Sequence, residues 1–505
     1  MNDVSPGNIP GSLREAIDFL IQRGELMTVK GEVDPVYEIS AIQKKLDNGP
    51  AFLFENLKGY PGVRDLGNLF SRRENLAAMF GINDHREFKH KCLAAIKTPL
   101  PPRIVSAAPS QQVVIDKNID IGATLPLITH SEDDAGPILG GGVVFAIDPK
   151  HKNTEVSFKR MYFRGKDWGT VNIVPATHLG KIVASEFKKG TRVPMTINIG
   201  VPPAVMIMAA AYSIHIIVPD GADELSIAGA LQGAPIEICP AKTIDTYSIA
   251  ESEWVIEGYA LPEKIFETEA AEQLGKARVS PFFPEWAGYL GRALKPPKFQ
   301  ITAITHRRDR PIFYTPLATS FENENMARSI REACFLELAE GIAPGLVTDV
   351  NIPYGIRVNS GIVYQVKKRF AADDSFVKSI LTCALGASMS RFIAAVDDDV
   401  DIYNTDDILW AIATRLNTST GLNKAPPGSA AVGYALHEYA ARTGSGGSEG
   451  MTLDTTAPYA ARSSFKRAHY PSDTTDIGKW FSEAEIAAIR QRQSEYARLL
   501  SDIGG

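Results

Sequence analysis

Cysteine is scarce in this 505-residue chain: Cys92, Cys239, Cys334 and Cys383 are the four present, and none sits at the short spacing of a zinc or redox motif. A disulfide scaffold and a cysteine-held metal are thereby excluded, and four reduced, buried thiols are expected. Long apolar runs are missing too, since no window reaches the ~18 residues that span a bilayer. The opening MNDVSPGNIPGS has neither a basic n-region nor an apolar h-region. A cytoplasmic protein without a membrane partner is the expectation. Basic excess is likewise absent: 53 Lys and Arg face 59 Asp and Glu, for a net charge of -6, and no local basic patch appears. No nucleic-acid partner is expected. What the chain does have is core-forming material, 44% hydrophobic residues, enough for two or three domains.

The hydrophobic periodicities predict an α/β multidomain protein. Residues 12 to 24, SLREAIDFLIQRG, carry Leu13, Ile17, Leu20 and Ile21 on one stripe, with Ser12 and Glu15 as a capping box. This opens an α/β segment over residues 1–115, closed by the proline-rich TPLPPRIVSAAP. Over 116–310 the pattern turns to strands, GGGVVFAID, TEVSFKRMYF, PMTINIGVPPAVMIM and APIEICP, interrupted by a helix over 177–190 that Thr177 caps. Helical periodicity returns in 311–505 with ENMARSIREACFLELAE and TDDILWAIATRL, around the strand-like RFIAAVDDDVDIY. A Gly/Ser-rich loop follows over 443–450, and the chain ends in a helix whose apolar stripe suits a partner subunit.

The chemistry concentrates between Glu155 and Gly258, where Glu155, Arg160, His178, Glu237, Glu253 and Glu257 lie along apolar segments. Arg160 follows Val156 and Phe158 at even spacing, so its guanidinium shares an apolar face and suits either a carboxylate ligand or a structural ion pair. His178 opens a helix, where a ring can meet a metal or an anion, or serve only as a polar cap. Glu237 lies inside the apolar PIEIC, where an ionised carboxylate needs a cation or a donor unless it faces solvent. In SEWVIEG, Glu253 and Glu257 share one face of a strand. Beside an arginine, one could stay ionised while the other carries a proton; the alternative is an exposed acidic face. The acidic DDDVD at 397–401 lacks calcium-loop spacing and reads as a solvated turn. The glycines at 140–142 precede a strand rather than a helix, which disfavours a dinucleotide fingerprint and suggests a turn that lets a ligand approach backbone.

In order, LPLITHSEDDAG, SFKRM, PATHLGKI, INIGVPPAV, GAPIEIC, SEWVIEG, ITHRRDRPI, VDIYNTDDILWAIATR and MTLDTTAP resemble the UbiD family of reversible decarboxylases, over about 400 residues. The resemblance implies a central split β-barrel holding prenylated FMN, between an N-terminal α/β domain and a C-terminal oligomerisation domain. It implies non-oxidative decarboxylation of an aromatic, heteroaromatic or α,β-unsaturated acid, a flavin prenyltransferase as cofactor supplier, and a homodimer or homohexamer. Arg160, Glu253 and Glu257 match its catalytic residues, with Arg160 orienting the substrate carboxylate, Glu253 paired with it and Glu257 donating the proton. Ser157, Phe158, Lys159, Arg160, Thr177, His178 and Glu237 match its cofactor site. His178 and Glu237 match ligands of a divalent metal, usually Mn2+ with K+ beside it. The third ligand is generally an asparagine, and Glu155 stands at that position here. Where the family more often has a lysine facing the cofactor phosphate, this chain has Leu385. A quinone-pathway decarboxylase and a non-catalytic assembly subunit are the competing readings.

Overall fold

The first amphipathic stripe forms the helix Leu13–Gln22, with Leu13, Ala16, Ile17 and Leu20 buried and Ser12 Oγ accepting the Glu15 N–H at 3.2 Å. In this computed structural model, residues 9–502 are described, apart from 176, 212–213, 219–221, 280, 389, 426–448 and 473. Most of the Gly/Ser-rich loop at 443–450 lies outside the described residues.

Strands Leu26–Val33, Ala51–Leu57 and Arg64–Gly67 form a sheet with a fourth, Ile312–Tyr314, that returns from beyond the middle segment and pairs in parallel with Arg64–Gly67. The strand-rich middle makes a nine-stranded sheet. From one end the order is Ile138–Leu139, Met161–Phe163, Trp168–Val171, Pro297–His306, Trp254–Lys264, Val193–Ile199, Val143–Ile147 and Thr154–Phe158, with Val113–Ile115 also pairing on Pro297–His306. Two residues, Lys159 and Arg160, connect Thr154–Phe158 at one end with Met161–Phe163 near the other. Six strand steps of ~4.8 Å would part those strands by roughly 30 Å in a flat sheet, while the link reaches about 11 Å. The sheet therefore curls into a split barrel, and Lys159–Arg160 bridges the split. The Lys159 N–H donates to Gly142 O on one side (3.0 Å), and Arg160 O accepts from the Asn172 N–H on the other (3.2 Å).

A third segment packs the helices Phe321–Ile342 and Asp373–Ala387 on a five-stranded sheet built from Val347–Asn351, Gly361–Val366, Phe392–Asp397, Met451–Asp454 and Leu422–Lys424. The helix Phe321–Ile342 buries polar residues as well as apolar ones. Its Glu332 accepts from Arg73 Nη2 at 2.7 Å, and its Asn325 donates to Phe70 O at 2.8 Å, which fastens it to the first segment. The chain divides into two compact units, Met1–Tyr459 and Ala460–Gly505, the latter holding the helix Glu483–Asp502.

Three expectations change here. Cys92, Cys239 and Cys334 are buried, but Cys383 is exposed on the helix Asp373–Ala387. The DDDVD turn is not simply solvated, because Arg415 donates to both Asp397 (2.8 Å) and Asp399 (2.6 Å). At Gly141 the approaching backbone is the protein's own: a Cβ there would lie 2.3 Å from Tyr314 O. Among the described residues no helix is long and apolar enough to cross a membrane.

Candidate active site

Strand alternation puts Glu155, Ser157 and Lys159 on one side of the chain as it nears the split. Glu155 and Lys159 are buried, and the Ser157 hydroxyl donates to Glu155 Oε1 at 3.0 Å. Two helix starts converge on this side. Thr177 caps the helix His178–Lys188 by accepting from the Gly180 N–H, and places His178 Nδ1 3.0 Å from Glu155 Oε2. Asp223 caps the helix Glu224–Gln232, and Glu224 Oε2 accepts the Val156 N–H at 2.7 Å. Ligand atoms of Glu155, His178 and Glu224 all lie within 4.8 Å of one another, the one such group of three acids, histidines or cysteines among the described residues.

The electrostatics of this trio are unresolved in a way that a cation would resolve. Burial, reinforced by the charge of Glu155, pushes the Glu224 carboxyl well above the usual carboxylate range. Burial also works to raise Glu155, but His178 and Lys159 outweigh it and hold that carboxyl down. His178 is raised by the closeness of the Glu155 carboxylate, and burial lowers the Lys159 ammonium against the pull of Glu155 and Glu224. Glu155 Oε2 is buried with no aligned hydrogen bond, despite its closeness to the His178 ring. Two carboxylates and an imidazole suit a divalent ion such as Mn2+.

Arg160 emerges toward a different pair of acids. Its Nε and Nη2 each donate to Glu267 at 3.1 Å, its Nη1 donates to Glu285 at 2.5 Å, and its guanidinium lies 4.9 Å and 5.1 Å from the rings of Phe282 and Phe283. Glu267 is fully buried and also accepts the Leu294 N–H at 2.6 Å. Glu285 sits in a turn that Gly291 makes room for, since a Cβ there would come within 2.7 Å of its Cγ. Burial raises the Glu285 carboxyl, Arg160 opposes this, and the charge of Glu267 adds to the rise. One carboxylate held in a fork beside a second whose pKa burial raises is a division of labour that acid catalysis can use.

The acids expected at Arg160 are engaged elsewhere. Glu253, fully buried, takes Arg14 Nε at 2.8 Å, Arg307 at 3.2 Å and the Ile312 N–H at 3.0 Å, tying the first helix to two strands. Glu257 accepts the Lys242 and Thr243 N–H groups at 2.8 and 2.7 Å and pins their turn. Glu253 lies just before the strand Trp254–Lys264 and Glu257 within it, and the arginines and amides they meet are other than Arg160. Glu237 is corrected as well. It begins a strand paired with Arg103–Ile104 and bonds to Arg103, so Glu224 takes the third position beside Glu155 and His178. Phe158 is half-buried at the strand end, and Leu385 packs against Gly450. The missed residues left faint signals. Glu224 follows a capping Asp223 at a helix start, and Glu285 sits among aromatics in SPFFPEWAGYLG.

The sequence matches the 3-octaprenyl-4-hydroxybenzoate carboxy-lyase N-terminal domain over residues 17–91, the Rift-related domain over 103–319 and the C-terminal domain over 324–432. It is 30% identical over 464 residues to gallate decarboxylase of Lactiplantibacillus plantarum, covering 87% of this chain and 92% of that one. Among solved structures it resembles the UbiD-class enzyme HmfF of Pelotomaculum thermopropionicum in complex with prFMN (TM-score 0.80, 29% identity, 93% of this chain and 100% of that one). It also resembles the 3,4-dihydroxybenzoic acid decarboxylase of Enterobacter cloacae (TM-score 0.82, 28% identity, 95% and 100%). With three domains matched in order and a curated relative aligned along most of both chains, this protein belongs to the UbiD family and is a carboxy-lyase.

Proposed function

We propose that this enzyme is a non-oxidative, reversible decarboxylase of an aromatic, heteroaromatic or α,β-unsaturated carboxylic acid, working with prenylated FMN bound through a divalent ion, Mn2+, beside K+. The observation that carries the reading is the arrangement at the barrel split: adjacent residues Lys159 and Arg160 face a cation-shaped trio on one side and the Glu267–Glu285 pair on the other. Relatives named for gallate and 3,4-dihydroxybenzoic acid make hydroxylated benzoic acids the first substrates to try. The prenylated flavin would be anchored by Glu155, His178 and Glu224 through the ion, with Ser157, Phe158, Lys159 and Thr177 around it, and supplies the electron sink that no side chain provides.

The chain's own residues do the rest. Arg160 exchanges one of its two glutamate partners for the substrate carboxylate and orients it. The surrounding Phe282 and Phe283 favour loss of that charge as neutral CO2. Glu285 donates the proton to the carbon that CO2 leaves, a role suited to its raised pKa, while Glu267 keeps Arg160 aligned. This set argues against an assembly subunit, which has no use for an arginine fork beside an acid whose pKa burial raises. The test is protein co-produced with a flavin prenyltransferase and assayed for CO2 release from gallate and 3,4-dihydroxybenzoate, and for deuterium exchange into their decarboxylated products. Turnover dependent on the prenyltransferase is expected; full activity without it, or no release or exchange across a panel of aromatic and unsaturated acids with loaded flavin, would overturn the reading.

A further inference from the structure

His178 meets two carboxylates, one on each ring nitrogen. Nδ1 faces Glu155, and Nε2 lies 3.2 Å from Asp148 Oδ2. Asp148 is 5% exposed and ends the strand Val143–Ile147, directly before the turn that leads into Thr154–Phe158. That turn is tightly bound: Asp148 Oδ1 accepts the Lys150 N–H (2.7 Å), Asp148 O accepts the Lys152 N–H (2.8 Å), and the Asp148 N–H donates to Asn153 O (2.9 Å). Oδ2 also meets His151 Nδ1 at 2.7 Å. In the same hairpin Ala146 pairs with Glu155. One hairpin thus carries Glu155 and, a few residues away, the acid on the far side of the His178 ring.

An imidazole can bind a cation only through a nitrogen that bears no proton, and the partner of its other nitrogen decides which one that is. Resting on the reading that Glu155, His178 and Glu224 hold a divalent ion, we propose that Asp148 is a positioning residue for that site: it accepts the Nε2–H of His178 and so turns the Nδ1 lone pair toward Glu155 and Glu224. Because Asp148 and Glu155 belong to one hairpin, the orienting group and a ligand are fixed by the same backbone bonds. His151 shares the aspartate without facing the trio, so its loss leaves the site intact.

The full-length protein, freed of metal, is titrated with Mn2+ and read by electron paramagnetic resonance. Asp148→Ala should weaken binding about 10–100-fold. Asp148→Asn, whose amide oxygen still accepts from Nε2–H, should fall between, and His151→Ala should bind as wild type does. Thermal unfolding accompanies each titration. Wild-type protein that binds Mn2+ while Asp148→Ala binds it equally well overturns the positioning role; wild-type protein that binds none overturns the metal reading itself. Histidine-selective 15N spectra of wild-type protein with Zn2+, the signal assigned by its loss in His178→Gln, give a second test that needs no Asp148 variant. The Nε2–H tautomer with Nδ1 on the ion is expected, and the reverse tautomer refutes the proposal.

Discussion

Glu155 with Glu224, and Glu267 with Glu285, are two pairs of mostly buried acids reached from one stretch of chain, and they are neutralised by different means. The second pair closes on a guanidinium that belongs to the protein, with direct bonds from Arg160 to each partner. The first has only partial compensation from His178 and Lys159, so one carboxyl is driven up by burial and a buried oxygen of the other lacks an aligned donor. Leaving a buried carboxylate short of donors costs free energy, which a bound cation would offset. On the reading proposed above, the first pair would receive an ion. The second is built around a guanidinium of the protein, and on that reading one of its partners gives way to a substrate carboxylate.

The largest effect that would break this comparison is at Arg160. Arg160→Lys keeps a charge for Glu267 and Glu285 but loses the fork, and should lower kcat/KM by about 10³-fold, the upper range for a fixed donor, with metal content unchanged. Metal lost in this variant would mean that the two clusters are one. Glu285→Gln should lower turnover by at least about 10²-fold. Because its carboxyl is raised by burial, the acid form is present at low pH and lost as pH climbs through that pKa, so the wild-type rate should fall on the alkaline side. The glutamine variant should lose that limb; if it keeps the limb, another group supplies the proton.

Next in size is the test that separates Glu224 from Glu237. Glu224→Ala should purify with Mn2+ affinity reduced by at least about 10-fold, and with little flavin, whereas Glu237→Ala should resemble wild type in both. Equal metal loss in the two would return Glu237 to the site. Glu253→Gln should act on stability rather than chemistry. Removing one partner of a buried pair costs roughly 3–5 kcal/mol, and the low end applies because Arg14 is 28% exposed and screened by solvent. Unfolding in denaturant measures it, with turnover of the folded fraction unchanged.

Much of the scaffold was legible because its signals are local. The alternation of TEVSFKR, the cap at Thr177 and the stripe from Leu13 to Leu20 each specify an element without reference to the rest of the chain. His178 drew attention by its place at a helix start and Glu155 by the resemblance, which sets it where the family generally has an asparagine, and the structure brings the two side chains together. The partners of Arg160 were not legible. Glu267 and Glu285 lie more than 100 residues later and reach it only because the sheet curls, a consequence of strand order that no window of sequence contains. Glu253 and Glu257 show the converse error, since their spacing states which side they share but not what faces it. Glu155 and Arg160, five residues apart, reach different clusters because the chain leaves its strand at Phe158 to cross the split.

The smallest predicted effect sharpens the comparison most, because it alters the charge of the ion-taking cluster without removing its shape. In Glu155→Asn an oxygen remains to face the ion, and Mn2+ should be retained with an affinity at neutral pH about 10-fold weaker or less, since one attractive charge is gone and Lys159 loses its nearest compensation. The response to acid should move more clearly. Glu155 now helps to raise the carboxyl of Glu224 and the imidazole of His178, so each holds its proton to a higher pH than it otherwise would. Protons compete with the ion at both groups, and removing the Glu155 charge lowers both pKa values. The pH at which half of the Mn2+ is lost should therefore shift downward in the variant, read by paramagnetic resonance across an acid titration. A midpoint that stays put or rises would place Glu155 outside the ion's reach and leave Glu224 and His178 to hold it alone.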